Sequence, residues 1–430
     1  MAVDTVVALS TGSLPSGVAI VRASGPRVRD LLAVSIGNVP APRRLVLSFI
    51  RDGEDLLDNG LVAFFPAPNS FTGEDCAEWH VHGSRAVVAA LLRSLTRPDG
   101  VRLADAGEFT RRAFENGKLD LTEVEGLGDL LEAETETQRR QAVLRMNGGL
   151  SDKLAGWRNV ILNLRAEIEA QLDFSDEGDV GDLPQDFADR LATLRDEIQA
   201  LSAQTDSGRI MREGARIALA GLPNAGKSSL LNALAREEIA IVTDEPGTTR
   251  DVREVALDLN GQRVTLVDMA GLRETASKAE AEGVRRAQRE IEAAHLVLWL
   301  EAPDAPETAP PPTSAPVWRL GTKSDLGKVD RADLSLSVQT GQGVGALLAR
   351  LSDFVAGLTG SEPILVSRAR DEAALNDAAK ALQQSLNEWN RPELVAEDLR
   401  SASVALERLL GRIDSEAVLD RLFSAFCIGK

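Results

Sequence analysis

The stretch Gly221-Leu222-Pro223-Asn224-Ala225-Gly226-Lys227-Ser228 decides the fold. It follows Arg216-Ile217-Ala218-Leu219-Ala220, which reads as a buried strand, and precedes a helical pattern from Ser229 to Ala235. A G-x-x-x-x-G-K-S segment between a strand and a helix is a phosphate loop. Its glycines let backbone N–H groups turn inward around an anion, and the helix N-terminus adds its dipole. Lys227 supplies a positive charge to the β- and γ-phosphates, and the Ser228 hydroxyl suits Mg²⁺. An ordinary Gly-rich turn shares the composition but not this strand–loop–helix order.

Three later segments bear on which nucleotide is held. Thr248-Thr249 stands where a switch threonine reaches Mg²⁺ and the γ-phosphate, so Ser228 and Thr249 are the expected Mg²⁺ ligands. Val264 to Asp268 reads as a strand ending in an acid, and Met269-Ala270-Gly271 completes D-x-x-G. Asp268 would hold the ion through water, and the Gly271 amide would sense the γ-phosphate. Val317 to Leu320 leads into Thr322-Lys323-Ser324-Asp325, which resembles the guanine-reading N-K-x-D segment of G proteins. Asp325 would accept from guanine N1–H and the 2-amino group, and Lys323 would pack under the base. Ser337-Val338-Gln339 stands where a short loop closes over the base. Each piece alone is weak, but their order and spacing point to GTP. Thr322 in place of Asn loses an amide that braces the nucleotide loops, and Val338 replaces Ala. Leu272 occupies the position at which Ras-like proteins carry a water-orienting Gln, so another group must orient the water.

Around this module the chain changes character. Its 430 residues, 43% hydrophobic, allow two or three domains. Residues 1–118 mix short strands with a helix and read as an N-terminal α+β domain. Residues 119–208 and 361–430 read as one discontinuous helical domain. Residues 209–360 read as an inserted Ras-like α/β P-loop G domain, an arrangement tolerated when the guest's termini lie close together. No run of 18 apolar residues occurs, so no membrane span is expected. The start has no basic segment followed by an apolar one, so secretion is not expected. Two cysteines, Cys76 and Cys427, exclude a disulfide framework and suit a reducing cytoplasm. A net charge of −18 opposes bulk electrostatic binding of nucleic acid. An RNA partner would need a local basic patch or a second protein.

A whole-chain resemblance rests on particular residues. Asn224 to Asn232, Ile241-Val242-Thr243-Asp244-Glu245-Pro246-Gly247-Thr248-Thr249-Arg250-Asp251 and Ala270-Gly271-Leu272-Arg273-Glu274 resemble the MnmE (TrmE) family of tRNA-modification GTPases. Phe71-Thr72-Gly73-Glu74-Asp75, Lys118-Leu119-Asp120-Leu121 and Phe426-Cys427-Ile428-Gly429-Lys430 extend the resemblance to both ends. It implies a nucleotide site formed by Asn224, Ala225, Gly226, Lys227, Ser228, Ser229, the segment Thr243 to Thr249, Asp268, Met269, Ala270, Gly271 and Thr322 to Asp325. It implies G domains that meet transiently face to face, with K⁺ in place of an arginine finger, held by Asn224, Thr243, Glu245 and Thr248. Oxygen-only ligation suits such a hard cation. The family's water-orienting glutamate matches Glu280. A homodimer through the N-terminal domain is implied, with a 5-formyl- or methylene-tetrahydrofolate bound by Arg22, Glu78, Lys118 and Lys430. A carboxylate such as Glu78 can pair a pterin's guanidine-like edge, while Arg22 and the lysines suit folate carboxylates. The implied activity, shared with an FAD-dependent partner (MnmG, also GidA), adds an aminomethyl-type group to C5 of the wobble uridine of certain tRNAs.

Other residues admit both a functional and an ordinary reading. Cys427 is either a thiol near the folate and target base or a small buried residue on the stripe Leu419, Leu422, Phe423, Phe426. Asp173 to Pro184 echoes a calcium loop, but Pro184 cannot be its bidentate ligand. His80 and His82 alternate on a strand and suit its surface better than a metal. Arg139, Arg140 and Arg145 suit a solvated helix face better than tRNA phosphates. A ribosome-assembly or regulatory GTPase is the alternative function. Such proteins usually carry an RNA module, and neither a KH-type G-x-x-G segment nor an aromatic platform is evident.

Overall fold

The computed structural model describes residues 4–173, 183–241, 254–269, 288–306, 308–360, 362–411, 420, 422–424, 426 and 429. Contacts group the chain into two units, residues 1–128 with 406–430, and residues 129–405. Among the described residues no helix is long and apolar enough to cross a membrane.

The first unit is built on six strands, β1 (Thr5–Leu9), β2 (Ser16–Ser24), β3 (Val46–Asp52), β4 (Asp55–Phe65), β5 (Cys76–Gly83) and β6 (Val101–Leu103), in the order β3-β4-β5-β2-β1-β6. Helices α1 (Val28–Ile36) and α2 (Arg85–Leu95) supply Leu31, Leu32, Val88 and Leu91 to a core with Val21, Val62, Trp79 and Val81. Strand residues alternate between faces, so the other face carries the cross-strand rows Leu47–Leu61–His80–Ile20 and Ala63–Glu78–Arg22. On it Leu47 is 66% and Phe49 59% exposed. Helix α3 (Glu108–Glu115) follows, and then α4 (Leu121–Glu132). Asp120 caps α4, accepting from the N–H groups of Thr122 and Glu123, while Glu123 accepts from the Asp120 N–H. This reciprocal cap explains the Lys118-Leu119-Asp120-Leu121 stretch structurally.

The second unit holds helices α5 (Glu136–Met146), α6 (Gly149–Asp173), α7 (Phe187–Ser202) and α8 (Thr205–Glu213), then a second sheet, then α11 (Ala369–Asn387) and α12 (Pro392–Leu409). The face of α5 that is buried carries Gln138, Gln141, Ala142 and Arg145, at helical spacing. Arg145 is fully buried and donates to Asp371 at 2.9 Å and to the Leu365 carbonyl at 2.8 Å. The solvated-face reading of Arg145 is thereby corrected. Arg139 and Arg140 are exposed and share Glu136.

The second sheet comprises β7 (Ala215–Gly221), β8 (Glu254–Leu259), β9 (Gln262–Asp268), β10 (Leu296–Glu301), β11 (Val317–Gly321) and β12 (Leu334–Ser335), in the order β12-β11-β10-β7-β9-β8. All neighbours are parallel except the hairpin β8–β9. Ile217–Ala220 of β7 and Leu296–Leu300 of β10 are continuous apolar runs, as central strands covered on both faces require. Leu230, Leu231 and Leu234 of α9 (Lys227–Leu234) and Leu347, Leu351 and Val355 of α10 (Val344–Thr359) pack against it. The β8–β9 turn reaches the first turn of α5, where the Gly261 carbonyl accepts from the Thr137 N–H at 3.0 Å. That N–H has no partner within its own helix. Arg263 pairs with Glu134 at 2.8 Å, and Asn260 donates to the Ser352 hydroxyl at 2.8 Å.

Candidate functional site

The strand order reverses at β7, and loops at the C-terminal ends of the parallel strands flank the crevice there, the usual ligand position in open α/β sheets. Gly221 ends β7 at φ 146°, and a Cβ on it would meet the Leu300 carbonyl oxygen at 2.4 Å, so the close strand pairing requires glycine. Gly226 opens α9 at φ 90°, and Asn224 has φ 63°. These left-handed residues give the loop the curl that points N–H groups inward.

Lys227 is buried, and its ammonium donates to the Gly221 and Leu222 carbonyls at 3.0 and 2.8 Å, across the loop. Ser228 donates to Asp268 Oδ2 at 2.6 Å. A hydroxyl and a carboxylate brought together from the phosphate loop and the end of β9 form an oxygen donor set that fits Mg²⁺. Asn224 is exposed on the loop and Ser229 is exposed in the first turn of α9. Met269 turns its side chain into a cluster with Ala218, Ala220 and Trp299, leaving only its backbone toward the site.

The base-reading segment sits beside the phosphate loop. The Thr322 hydroxyl is buried and donates to the Ala225 carbonyl at 2.7 Å. The brace expected to be lost with Asn is therefore made by a shorter side chain. Asp325 accepts from the Ser337 hydroxyl, and the Ser324 N–H donates to the Leu336 carbonyl at 3.1 Å, which joins this segment to the closing loop. Lys323 pairs with Asp304 at 2.9 Å, a partner the sequence did not suggest. The neighbouring ammonium donates to the Asp304 carboxylate and holds it below the usual carboxylate range. Thr243 to Thr249, Ala270, Gly271, Glu280, Cys427 and Lys430 lie outside the described residues, as does most of the calcium-like stretch.

A second candidate lies on the face of the first sheet opposite α1 and α2. A cavity of about 590 Å³ is lined by Arg22, Arg43, Phe65, Phe71, Cys76 and Glu78, with Asn69 and Ser70. Arg22 and Glu78 are cross-strand partners, and both Nε and an Nη of Arg22 donate to one Glu78 oxygen at 3.0 and 2.8 Å. The expectation put Glu78 on a pterin and Arg22 on the folate carboxylates, whereas here the two side chains are bonded to each other. Lys118 lies against Gly73 rather than in the lining. The loop closing the cavity is pinned. Glu74 accepts from buried Arg112 at 3.1 Å and from Ser24 at 2.6 Å, and Thr72 bonds Ser24 at 2.7 Å. His80 and His82 face carboxylates, Glu78 and Asp58, in keeping with the strand-surface reading.

Comparison with known proteins adds to this geometry. A family model described as MnmE helical domain matches residues 121–427, and one described as GTP-binding protein TrmE N-terminus matches residues 5–118. The chain belongs to the MnmE family. A tRNA modification GTPase MnmE from Rhodopseudomonas palustris (strain BisB5) is 50% identical over 457 residues, covering 99% of each chain. That of Azorhizobium caulinodans is 50% identical over 433 residues, again covering 99% of each. The MnmE of Rhizobium meliloti (strain 1021) is 50% identical over 442 residues and 100% of both chains.

Proposed function

We propose that this MnmE-family chain is a GTPase of tRNA modification. The observation that carries the reading is the direct bond from Thr322, in the base-reading segment, to Ala225, in the phosphate loop. It ties the group that would read guanine to the groups that would hold the phosphates. Asp325 accepts from the guanine N1–H and 2-amino group, Lys323 lies along the base, and Lys227 turns from two loop carbonyls to the β- and γ-phosphates. Mg²⁺, held by Ser228 with Thr249 and through water by Asp268, neutralises phosphate charge when bound. Asn224, with Thr243, Glu245 and Thr248, would hold K⁺ where two G domains meet, and Glu280 would orient water in place of the missing Gln. The G domain is the inserted module, residues 209–360, between the halves of the helical domain.

The reading extends to the first unit. The cavity's two phenyl rings and its Arg22–Glu78 edge suit a flat heterocycle with donors and acceptors along one side, as the pterin of a tetrahydrofolate presents. Lys118 and Lys430 then suit its carboxylates. The product would be a wobble uridine modified at C5, made with the FAD-dependent partner MnmG. Nucleoside analysis of tRNA from a strain lacking this protein tests it. Loss of the modified wobble uridine is expected, and an unchanged profile would sink the reading. GTP hydrolysis should run several-fold faster in KCl than in NaCl, and equal rates would remove the K⁺ assignment.

The sheet face bearing Leu47 and Phe49 supports a dimer through the N-terminal domain, because adjacent apolar side chains of this size are seldom left to water. Replacing both with Glu should convert dimers to monomers in sedimentation equilibrium; dimers unaltered in stability would place the interface elsewhere.

A further inference from the structure

The base-reading segment is backed by the turn that follows β10. The Thr322 N–H donates to the Glu301 carbonyl at 2.8 Å, and its hydroxyl also reaches that oxygen at 3.2 Å. Pro303 lies so close to Gly327 that a Cβ added there would meet it at 3.2 Å. Between these contacts the Lys323 ammonium donates to both oxygens of Asp304, at 3.1 and 2.9 Å. The turn is closed by the Ala305 N–H on the Ala302 carbonyl at 3.1 Å. One short segment thus touches the reading loop at its start, its lysine and its end. Lys323 itself has φ 52°, a left-handed conformation that few lysines adopt and that surrounding contacts must impose.

A lysine stem laid against a purine gives up rotamer freedom, of which the long lysine side chain has more to lose than most. An ion pair that already fixes the ammonium removes part of that loss before the nucleotide arrives, as preorganisation does generally. We propose that Asp304 is a positioning residue for the nucleotide base, holding the Lys323 side chain extended so that its methylenes form a ready wall for the purine ring. This rests on the assignment of Thr322 to Asp325 as the guanine-reading segment. Asp304 touches no nucleotide and acts only through Lys323. The stem meets the ring face and not the exocyclic amino group, so its effect is the same for guanine and hypoxanthine.

The test is a set of dissociation constants for GDP and IDP with the full-length protein. Asp304→Asn should weaken both nucleotides by the same factor, about two- to fivefold, the range of an exposed ion pair. Asp304→Glu should recover most of the affinity. In a Lys323→Ala background the Asp304→Asn change should have no further effect, which a merely structural role for the turn would not produce. GDP affinity in Asp304→Asn equal to or tighter than wild type would overturn the proposal, as would a loss that persists without Lys323. Asp325→Asn separates the two levels of inference. If it weakens GDP while Asp304→Asn does not, only the positioning role falls. If Asp325→Asn leaves GDP binding intact, the base-reading assignment falls and takes the positioning role with it.

Discussion

Asp325→Asn is expected to lower affinity for GTP by about a hundredfold or more, and to shift preference toward xanthosine triphosphate. The carboxylate would accept two hydrogen bonds from guanine, each charge-assisted and worth roughly 1.5–3 kcal/mol. An amide at this position keeps one acceptor and turns a donor toward the guanine 2-amino group, so one bond is lost and two donors are opposed. Xanthine carries an oxygen there and accepts from the same amide. The bond from Ser337 to Asp325 fixes the carboxylate's orientation, which limits any rearrangement that would soften the loss. Competition titrations with GTP, XTP and ATP measure the effect. Undiminished GTP affinity would show that residues 322–325 do not read the base.

Arg145→Met is expected to destabilise the second unit by roughly 3–5 kcal/mol, the range for removing one partner of a buried ion pair. Arg145 and Asp371 are both wholly inaccessible, 2.9 Å apart, and Asp371 also accepts from the Ser367 and Arg368 N–H groups at 3.2 and 3.3 Å. Burial alone would raise the Asp371 carboxyl. The Arg145 and Arg370 charges, with the bonds from Arg145 and Ser367, outweigh it and hold the group below the usual carboxylate range. A lowered folded-state pKa contributes stability above the unfolded carboxylate pKa of about 4, and that contribution is lost as pH falls through the folded value. In the variant burial is opposed only by Arg370 and the Ser367 and Arg368 N–H groups, so the neutral acid is better tolerated than in the wild type. The stability gap between wild type and variant should therefore narrow on acidification below about pH 4. Urea unfolding at neutral and acidic pH gives both numbers. A gap under 1 kcal/mol at neutral pH would mean that the pair is not a structural anchor, 1 kcal/mol being about the most an exposed pair contributes.

What could be read from residues alone divides along physical lines. The phosphate loop was legible because its chemistry depends on backbone curvature, which glycine spacing encodes locally. The β7, β9 and β11 strands were legible because each leads into a nucleotide motif. Arg145 was misplaced because arginine is usually solvated. Yet its spacing from Gln138, Gln141 and Ala142 puts it on their side of the helix, while Arg139 lies about 120° away at about 100° per residue. A polar face that finds partners in distant carbonyls looks exposed until those partners are known. The Arg22–Glu78 pair joins residues 56 apart, so only strand register could reveal it. The same holds for Asp304, whose bond to Lys323 depends on how a proline-rich connection turns after β10. Thr322 shows the opposite limit, since its identity was noted and its consequence misjudged. The Thr322 hydroxyl bonds the Ala225 carbonyl, so a link between the two nucleotide loops persists without the amide.

The strand β9 links places that local contacts alone would keep separate. Its last residue, Asp268, bonds Ser228 in the phosphate loop, and the turn preceding its first residue is bonded to the start of α5. Extended backbone is nearly inextensible, at about 3.3 Å per residue. An axial displacement of the whole strand would therefore move both bonded ends together. Any free energy by which the helices favour one register of the strand would then, by thermodynamic reciprocity, be matched at the phosphate end.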